Sequence, residues 1–409
     1  MKVTLLTLGC RVNQSESSVL EGTLKENGIS IVNLSEKPDF CIINTCTVTA
    51  KSDYNSRQLI RRAARSGAKV IVTGCYSELK PTEVRMIPGV SNLIENKRKY
   101  EIVKLITSEE PPLFFGNFRR SRPYLKVQDG CNFRCSYCSV PLARGRSRSI
   151  SVEEAVRRAQ FISERGYNEI VLTGVHLGTY GFDLDQKSNI TDLIKKILTK
   201  TGIFRIRLSS LEINEVNDEL IELLQEDRIC KHLHLPLQSG SDKVLNAMKR
   251  RYTVEHFSRK LEAVWNKVKN ISLGTDVIVG FPEEREEEFF ETYNLLSDLP
   301  FSYLHIFPFS VRPGTEAAHM NVRTHQDVVK KRIEKLRALN AIKKERYMKA
   351  QIGRKLDVII EEKFFPGTVC GTSGNYVKVA VSPEQVRGSV VFVRPTRVAV
   401  EMLEGVAIC

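Results

Sequence analysis

Apolar and polar positions run along the first hundred residues in blocks whose period changes. Val3–Leu8 reads as a short strand and Gly9–Asn13 as a polar turn, while Ser17–Asn27 carries an amphipathic helical period that closes on Gly28. Strands follow at Phe40–Asn44 and Lys69–Thr73, separated by a helix bearing Arg57, Arg61, Arg62 and Arg65. Strand and helix in alternation predict an open, mostly parallel α/β sheet. The stretch Glu109–Arg122, rich in Pro, aromatic and basic residues, has the composition of a linker. Beyond it the alternation restarts on a larger scale. Strands are expected at Tyr124–Gln128, Glu169–Thr173, Phe204–Leu208, His232–Leu235, Leu273–Val279 and Tyr303–Phe307, and the clearest helices at Val152–Arg165 and Asp192–Lys200. Six such units predict a barrel or partial barrel with its functional groups at the carboxyl ends of the strands. Those ends carry polar turns: Asp129-Gly130-Cys131, Thr173-Gly174, Ser209-Ser210 and Gly280-Phe281-Pro282-Glu283. A long basic helix, about Gln326–Ala350, leads to a β-rich tail at Leu356–Glu361, Tyr376–Val381 and Val390–Val393. Gly-rich turns such as Gly371-Thr372-Ser373-Gly374 separate these segments. A tail of this kind suits a small barrel that binds oligonucleotides.

Composition narrows the class. The 409 residues suggest two or three domains, and 42% hydrophobic with 27% charged residues excludes collagenous and disordered chains. No apolar run approaches the roughly 18 residues of a membrane span. The start has only a faint lipoprotein-signal flavour, because its apolar stretch is short, position 7 is Thr and Arg11 follows Cys10 at once. No signal peptide is expected, and the expected location is cytoplasmic. The net charge of +14 is concentrated. Residues 56–69 hold five basic and no acidic side chains, residues 119–148 eight and one, and residues 324–350 nine and three. Such clustering fits a phosphate-binding surface, the alternative for any one run being a solvated helix face.

Ten cysteines without a secretory signal suggest metal or redox chemistry. Cys131-Asn132-Phe133-Arg134-Cys135-Ser136-Tyr137-Cys138 is a Cys-x3-Cys-x2-Cys run directly after an expected strand. A structural zinc site would want a fourth ligand, and no Cys or His stands near in sequence. Three thiolates on a four-iron cluster leave one iron open to a small molecule. Cys10, Cys46 and Cys75 also each follow an expected strand, so a parallel sheet would bring them to one edge, where they could hold a second cluster. Buried structural cysteines are the alternative, and Cys41, Cys230, Cys370 and Cys409 are read that way.

The Cys131–Cys138 run, with Tyr137 before its last cysteine, resembles the signature of the radical S-adenosylmethionine (SAM) superfamily. Leu8-Gly9-Cys10, Asn44-Thr45-Cys46, Thr73-Gly74-Cys75, His234-Leu235-Pro236-Leu237-Gln238-Ser239-Gly240-Ser241, Asp276–Pro282 and Arg312-Pro313-Gly314-Thr315 together resemble the methylthiotransferase family. Thr7–Asn13 and Ile43–Thr49 are most similar to its branch that acts on N6-threonylcarbamoyladenosine in tRNA. The resemblance implies an N-terminal domain over residues 1–112, a radical SAM core over 113–345 with a (β/α)6 partial barrel, and an RNA-binding TRAM barrel over 346–409. It implies two 4Fe-4S clusters, one radical SAM cluster on Cys131, Cys135 and Cys138 and one auxiliary cluster on Cys10, Cys46 and Cys75. SAM would bind with Tyr137 near its adenine, Gly174 on the methionyl side, and Ile278 and Gly280 on the adenine side. Glu283-Glu284 departs from the family pattern, where Gly is usual after Phe-Pro. The implied reaction inserts a methylthio group at adenine carbon 2, one SAM serving as methyl source and a second as radical source. An electron donor, a sulfur donor and the anticodon loop of tRNA are the implied partners, with no membrane. The tail is expected to grip RNA electrostatically, apart from the chemistry. Isopentenyladenosine in tRNA, a ribosomal-protein aspartate, or an RNA-binding redox sensor are the alternative readings.

Overall fold

Three apolar runs whose side chains are buried on both faces build the first sheet. In the computed structural model, which describes residues 1–109, 111–115, 120–321, 324–365, 368–382 and 384–408, this sheet has five parallel strands. They are β1 (Lys2–Thr7), β2 (Ser30–Ile31), β3 (Phe40–Thr45), β4 (Lys69–Gly74) and β5 (Val90–Leu93), in the order β2-β1-β3-β4-β5. Val3, Ile42 and Ile71 pack against Leu20 and Leu24 of the helix Arg11–Glu26, while Cys41, Ile43, Val70 and Val72 pack against Ile60 and Ala63 of the helix Ala50–Ala64. Helices on both faces explain why these strands are almost continuously apolar. Register pairs Thr7 with Asn44 and Asn44 with Thr73, so β1, β3 and β4 end level with one another.

The expected polar turn at Gly9–Asn13 is instead largely the first turn of the helix Arg11–Glu26. Its polar side chains face the end of the sheet rather than water: Asn13 Nδ2 donates to the carbonyls of Leu8 and Thr45, both at 2.8 Å.

The central domain holds β6 (Tyr124–Lys126), the hairpin partners β7 (Gln128–Asp129) and β8 (Arg148–Ser149), then β9 (Glu169–Thr173), β10 (Arg205–Leu208), β11 (His232–His234), β12 (Ser272–Val279) and β13 (Tyr303–Pro308). Two parallel sheets, β6-β9-β10 and β11-β12-β13, are joined by a parallel bridge between Ile206 and Ile229 into a six-stranded partial barrel. The strand expected over Tyr124–Gln128 is broken at Val127, because Gln128 and Asp129 turn away to pair with Arg148 and Ser149. Among the described residues no helix is long and apolar enough to cross a membrane.

The helix Gln326–Lys349 leads to the tail. There β14 (Leu356–Phe365), β15 (Thr368–Ser373), β16 (Lys378–Val381), β17 (Val390–Ala399) and β18 (Met402–Ile408) close a barrel in the order β14-β15-β16-β18-β17. Gly371-Thr372-Ser373 is therefore strand, not turn; the reversal begins at Gly374. Glycine is needed at Gly371 because a Cβ there would fall 2.4 Å from the Ile359 carbonyl oxygen of the neighbouring strand. Cys41, Cys230 and Cys370 are buried, while Cys409 and linker residues 110 and 116–119 lie outside the described residues.

Several basic side chains expected on a phosphate-binding surface are structural instead. Arg122 bonds Glu361 at 2.8 Å, and Arg144, Arg332 and Lys343 are buried. Arg205 and Arg207, at 1% and 0% exposure, both bond Glu169, itself fully buried, at 2.6 and 2.8 Å. The remaining donors of Arg205 and Arg207 reach the tail carbonyls of Asp357, Thr372, Ser373 and Gly374. The tail is thus bolted to the barrel through a buried charge cluster.

Removing the charge of Glu169 leaves Arg207 without a carboxylate and Arg205 with Asp357 alone, which costs about 3–5 kcal/mol. E169Q is expected to lower the unfolding midpoint and to release the tail to protease before the rest, as read by calorimetry and limited proteolysis. Against the burial that opposes it, Arg122 and Lys378 pull the Glu361 carboxyl down to about 2. A depressed folded pKa contributes stability above the ordinary carboxylate value that is lost as pH falls towards the folded one. Tail release should therefore begin below about pH 4.5, the usual value for an unfolded Glu.

Candidate metal and cofactor site

The loops after β1, β3 and β4 carry Cys10, Cys46 and Cys75, and the level strand ends bring the three thiols together. Two glycines make this approach possible. Gly9 (φ 95°) would place a Cβ 2.6 Å from Cys46 Sγ, and Gly74 (φ 103°) would place one 2.4 Å from the Thr45 backbone nitrogen and oxygen. Burial, with Cys10 and Cys75 as like-charged neighbours, pushes the Cys46 thiol up to about 11. No disulfide joins the described cysteines.

Arg144 reaches this triad from the central domain. Its Nε donates to Cys75 Sγ at 3.2 Å, its Nη1 to Glu16 and Asp129 at 3.0 and 2.8 Å, and its Nη2 to Asn13. Lys99 and Lys126 also bond the buried Glu16 carboxylate, which their charges and that of Arg144 hold ionised well below the usual range despite its burial. Arg144 ends the short helix Val140–Arg144 that follows Cys138, so one side chain ties the second cysteine run to the first triad.

Cys131, Cys135 and Cys138 wind through the loop after β7. The Phe133 amide donates to Cys131 Sγ at 3.4 Å, and Arg250, paired with Glu212, donates to Cys135 Sγ at 3.5 Å. Burial raises the Cys138 thiol to about 12, with Cys135 and Cys131 beside it. A histidine remote in sequence does stand close: His176 Nδ1 is 3.5 Å from Cys131 Sγ, but its other nitrogen is held by Glu215, so it orients the thiol rather than completing a four-ligand zinc set. Two sets of three soft donors, flanked by cationic and N–H donors that stabilise thiolates, fit iron–sulfur ligation.

Tyr137, Cys138 and Ile278 line one cavity of about 190 Å³ together with Gln238, Asp276 and Phe309. Val48 and Thr49, from the loop that carries Cys46, also line it, so residues that follow a cysteine of the first set meet Cys138 of the second across the same space. The other two expected SAM contacts are not among the residues that line this cavity. Gly174 packs on Gln128, and Gly280 N donates to Glu284 Oε2 at 2.7 Å beneath Val329. Glu283, where the family pattern has Gly, does adopt the left-handed backbone (φ 71°), which is why glycine suits the position. Inside the barrel, Asp276 Oδ1 accepts from His234 Nε2 at 2.8 Å and from His305 Nδ1 at 3.2 Å. These imidazoles outweigh burial and hold the Asp276 carboxyl well below its usual value. Asp276, His305 and Tyr303 were not singled out from the sequence as site residues. The available signal was one acid inside the apolar run Leu273–Val279. Gln238, buried with φ 69°, is a second strained residue on the cavity wall.

Residues 125–296 match the family model described as Radical SAM superfamily, and residues 2–94 match one described as Uncharacterized protein family UPF0004. Threonylcarbamoyladenosine tRNA methylthiotransferase MtaB of Bacillus subtilis is 37% identical, over 98% of this chain and 95% of that protein. The MtaB of Aquifex aeolicus is 37% identical over 89% and 93%, and that of Thermotoga maritima 36% over 92% and 90%. Among solved structures, the radical SAM methyltransferase TsrM from Kitasatospora setae superposes with a TM-score of 0.59 at 15% identity, covering 77% of this chain and 76% of that one. The cobalamin-dependent radical enzyme OxsB gives 0.52 at 13% identity, covering 83% and 56%. At these identities the two structures show a shared fold only.

Arg144 bonds Glu16 and Asp129 at the domain junction, but Lys99 and Lys126 keep both carboxylates paired without it, so R144M should cost less than the roughly 3–5 kcal/mol of an uncompensated buried charge. The loss should appear in the thermal midpoint of metal-free protein and as faster amide exchange in the loops bearing Cys10 and Cys75.

Proposed function

The chain belongs to the radical SAM methylthiotransferase family, and we propose that it adds a methylthio group to carbon 2 of N6-threonylcarbamoyladenosine at position 37 of tRNA. One observation carries the reading: a single cavity is lined by Cys138 of one thiol triad, by Val48 and Thr49 from the loop that carries Cys46 of the other, and by Tyr137 and Asp276. Cys131, Cys135 and Cys138 would hold the radical SAM cluster, and Cys10, Cys46 and Cys75 an auxiliary 4Fe-4S cluster. When bound, the first cluster and SAM supply a carbon-centred radical able to take the carbon 2 hydrogen.

The chain's own residues do the positioning. Tyr137 and Ile278 offer flat and apolar contact to an adenine ring, Val48 and Thr49 shut the cavity from the opposite domain, and Asp276 stays ionised to accept hydrogen bonds. The exposed Arg61, Arg62, Lys330, Lys331 and Arg337 remain available to phosphates after the buried cations are set aside. The target base must leave its stack to enter the cavity, which is less costly in an anticodon loop than in a duplex. Electrons and sulfur would come from separate cytoplasmic donors.

Anaerobically reconstituted protein should hold about eight irons, two four-iron clusters. Replacing Cys10, Cys46 and Cys75 by Ala should halve the iron yet spare reductive SAM cleavage. Replacing Cys131, Cys135 and Cys138 should halve the iron and abolish 5′-deoxyadenosine. Mass spectrometry of nucleosides from threonylcarbamoylated tRNA should show the methylthio product with the wild type alone. Full iron in the first triple variant, or product from isopentenyladenosine tRNA in its place, would sink the reading.

A further inference from the structure

The buried guanidiniums of this protein follow a rule. Arg144, Arg205, Arg207, Arg250, Arg312 and Arg332 each bond a carboxylate. Arg11 breaks it. It directly follows Cys10, opens the helix Arg11–Glu26 and is half-buried, yet no carboxylate pairs with it among the described residues. Its partner is neutral: Nη2 donates to the Tyr376 hydroxyl at 3.2 Å, with the guanidinium 5.9 Å from the centre of that ring.

Tyr376 connects Arg11 to the cavity wall through a row of side chains. Although it belongs to the tail, its ring stacks on His232 at 4.2 Å, and it is held there in a left-handed backbone conformation (φ 66°). His232 Nε2 meets the Tyr303 hydroxyl at 2.8 Å, Tyr303 meets His234 Nδ1 at 3.1 Å, and His234 meets Asp276 on the cavity wall. A row of aromatic side chains therefore runs from Arg11 to the cavity wall, with a carboxylate already at the far end and a cation without a carboxylate partner at the near end. A half-buried guanidinium without a counter-charge is poorly compensated until an anion arrives.

The alternative N6 substituents of the adenine differ in just this respect. The threonylcarbamoyl group ends in a carboxylate, and the isopentenyl group is apolar. Carbon 2 and the N6 substituent lie on either side of ring nitrogen 1, so a base with carbon 2 facing the cavity carries its N6 substituent off to one side. We propose that Arg11 binds the carboxylate of the threonylcarbamoyl substituent, making it a specificity-determining residue for an acid-bearing adenine. The inference rests on the substrate reading above and adds the residue that reads the acid. Loss of a charge-assisted hydrogen bond of this kind, about 1.5–3 kcal/mol, corresponds to roughly a 10- to 100-fold change in affinity.

The test compares three otherwise identical tRNAs, with threonylcarbamoyladenosine, its neutral carboxamide, or unmodified adenosine, by filter binding to reconstituted enzyme. The wild type should bind the acid form about 10- to 100-fold more tightly than the carboxamide. R11Q should bind both alike, at the affinity the wild type shows for the carboxamide, and R11K should keep part of the difference. If R11Q loses its clusters, the comparison passes to R11K, and discrimination equal to that of the wild type overturns the proposal. An R11Q enzyme that retains the preference also overturns it. So does one that loses affinity for all three tRNAs equally, which would mark a phosphate contact or a structural strut. Failure of the wild type to convert the acid form to its methylthio product would instead remove the substrate reading, and the two failures are told apart by that one assay.

Discussion

The guanidinium of Arg144 is the point on which the two cysteine-bearing segments meet. It bonds the Cys75 thiol, the Asn13 amide oxygen and the carboxylates of Glu16 and Asp129, all in an interior where it is only 5% exposed. A planar fork of five N–H donors can serve several acceptors at fixed angles, which an ammonium cannot. Asn13 in turn holds the ends of β1 and β3 through two carbonyls, so the geometry of the first triad and the seat of the second are set by one connected network. Surrounding cations keep Glu16 ionised although it is buried, so this network is held by opposed charge rather than by apolar contact.

The fold was legible where it depends on apolar period. Glu169–Thr173 and the ends of β3, β4, β12 and β13 fall within a residue or so of the expected bounds, because strands buried on both faces, such as β3, β4 and β9, leave an unambiguous run. Reading failed where polar groups face inward. Asn13 belongs to a helix yet looked like turn, since its amide serves strand carbonyls that no local pattern reveals. Gly371-Thr372-Ser373 looked like turn, since a closed barrel needs a small residue where two backbones approach. The rest of that strand, Thr368-Val369-Cys370, offers a single large apolar side chain and did not stand out.

The candidate site divides along the same line. Cysteine spacing and strand order made both triads legible before any coordinates, because covalent sequence and parallel topology alone bring them together. Arg144, His176 and Arg250 were not legible as thiol partners: each lies in a separate segment, and only tertiary packing carries it to sulfur. Charge clustering was misleading for a related reason. A basic run counts side chains but not their direction, and Arg122, Arg144, Arg332 and Lys343 point into the protein.

That inward charge changes how the tail must be understood. A barrel joined by a flexible linker could add affinity for RNA and nothing more. Here Arg205 and Arg207 of β10 end on tail carbonyls, Glu361 of the tail bonds Arg122, and Tyr376 stacks inside the central barrel. Contacts of this burial make the tail and the catalytic barrel one body, and Arg11, which opens the first helix, meets it at the Tyr376 hydroxyl. Groups held in one another's geometry by buried contacts need little reorganisation when a substrate arrives, so what binds at an exposed basic face and what borders the cavity act through one connected frame.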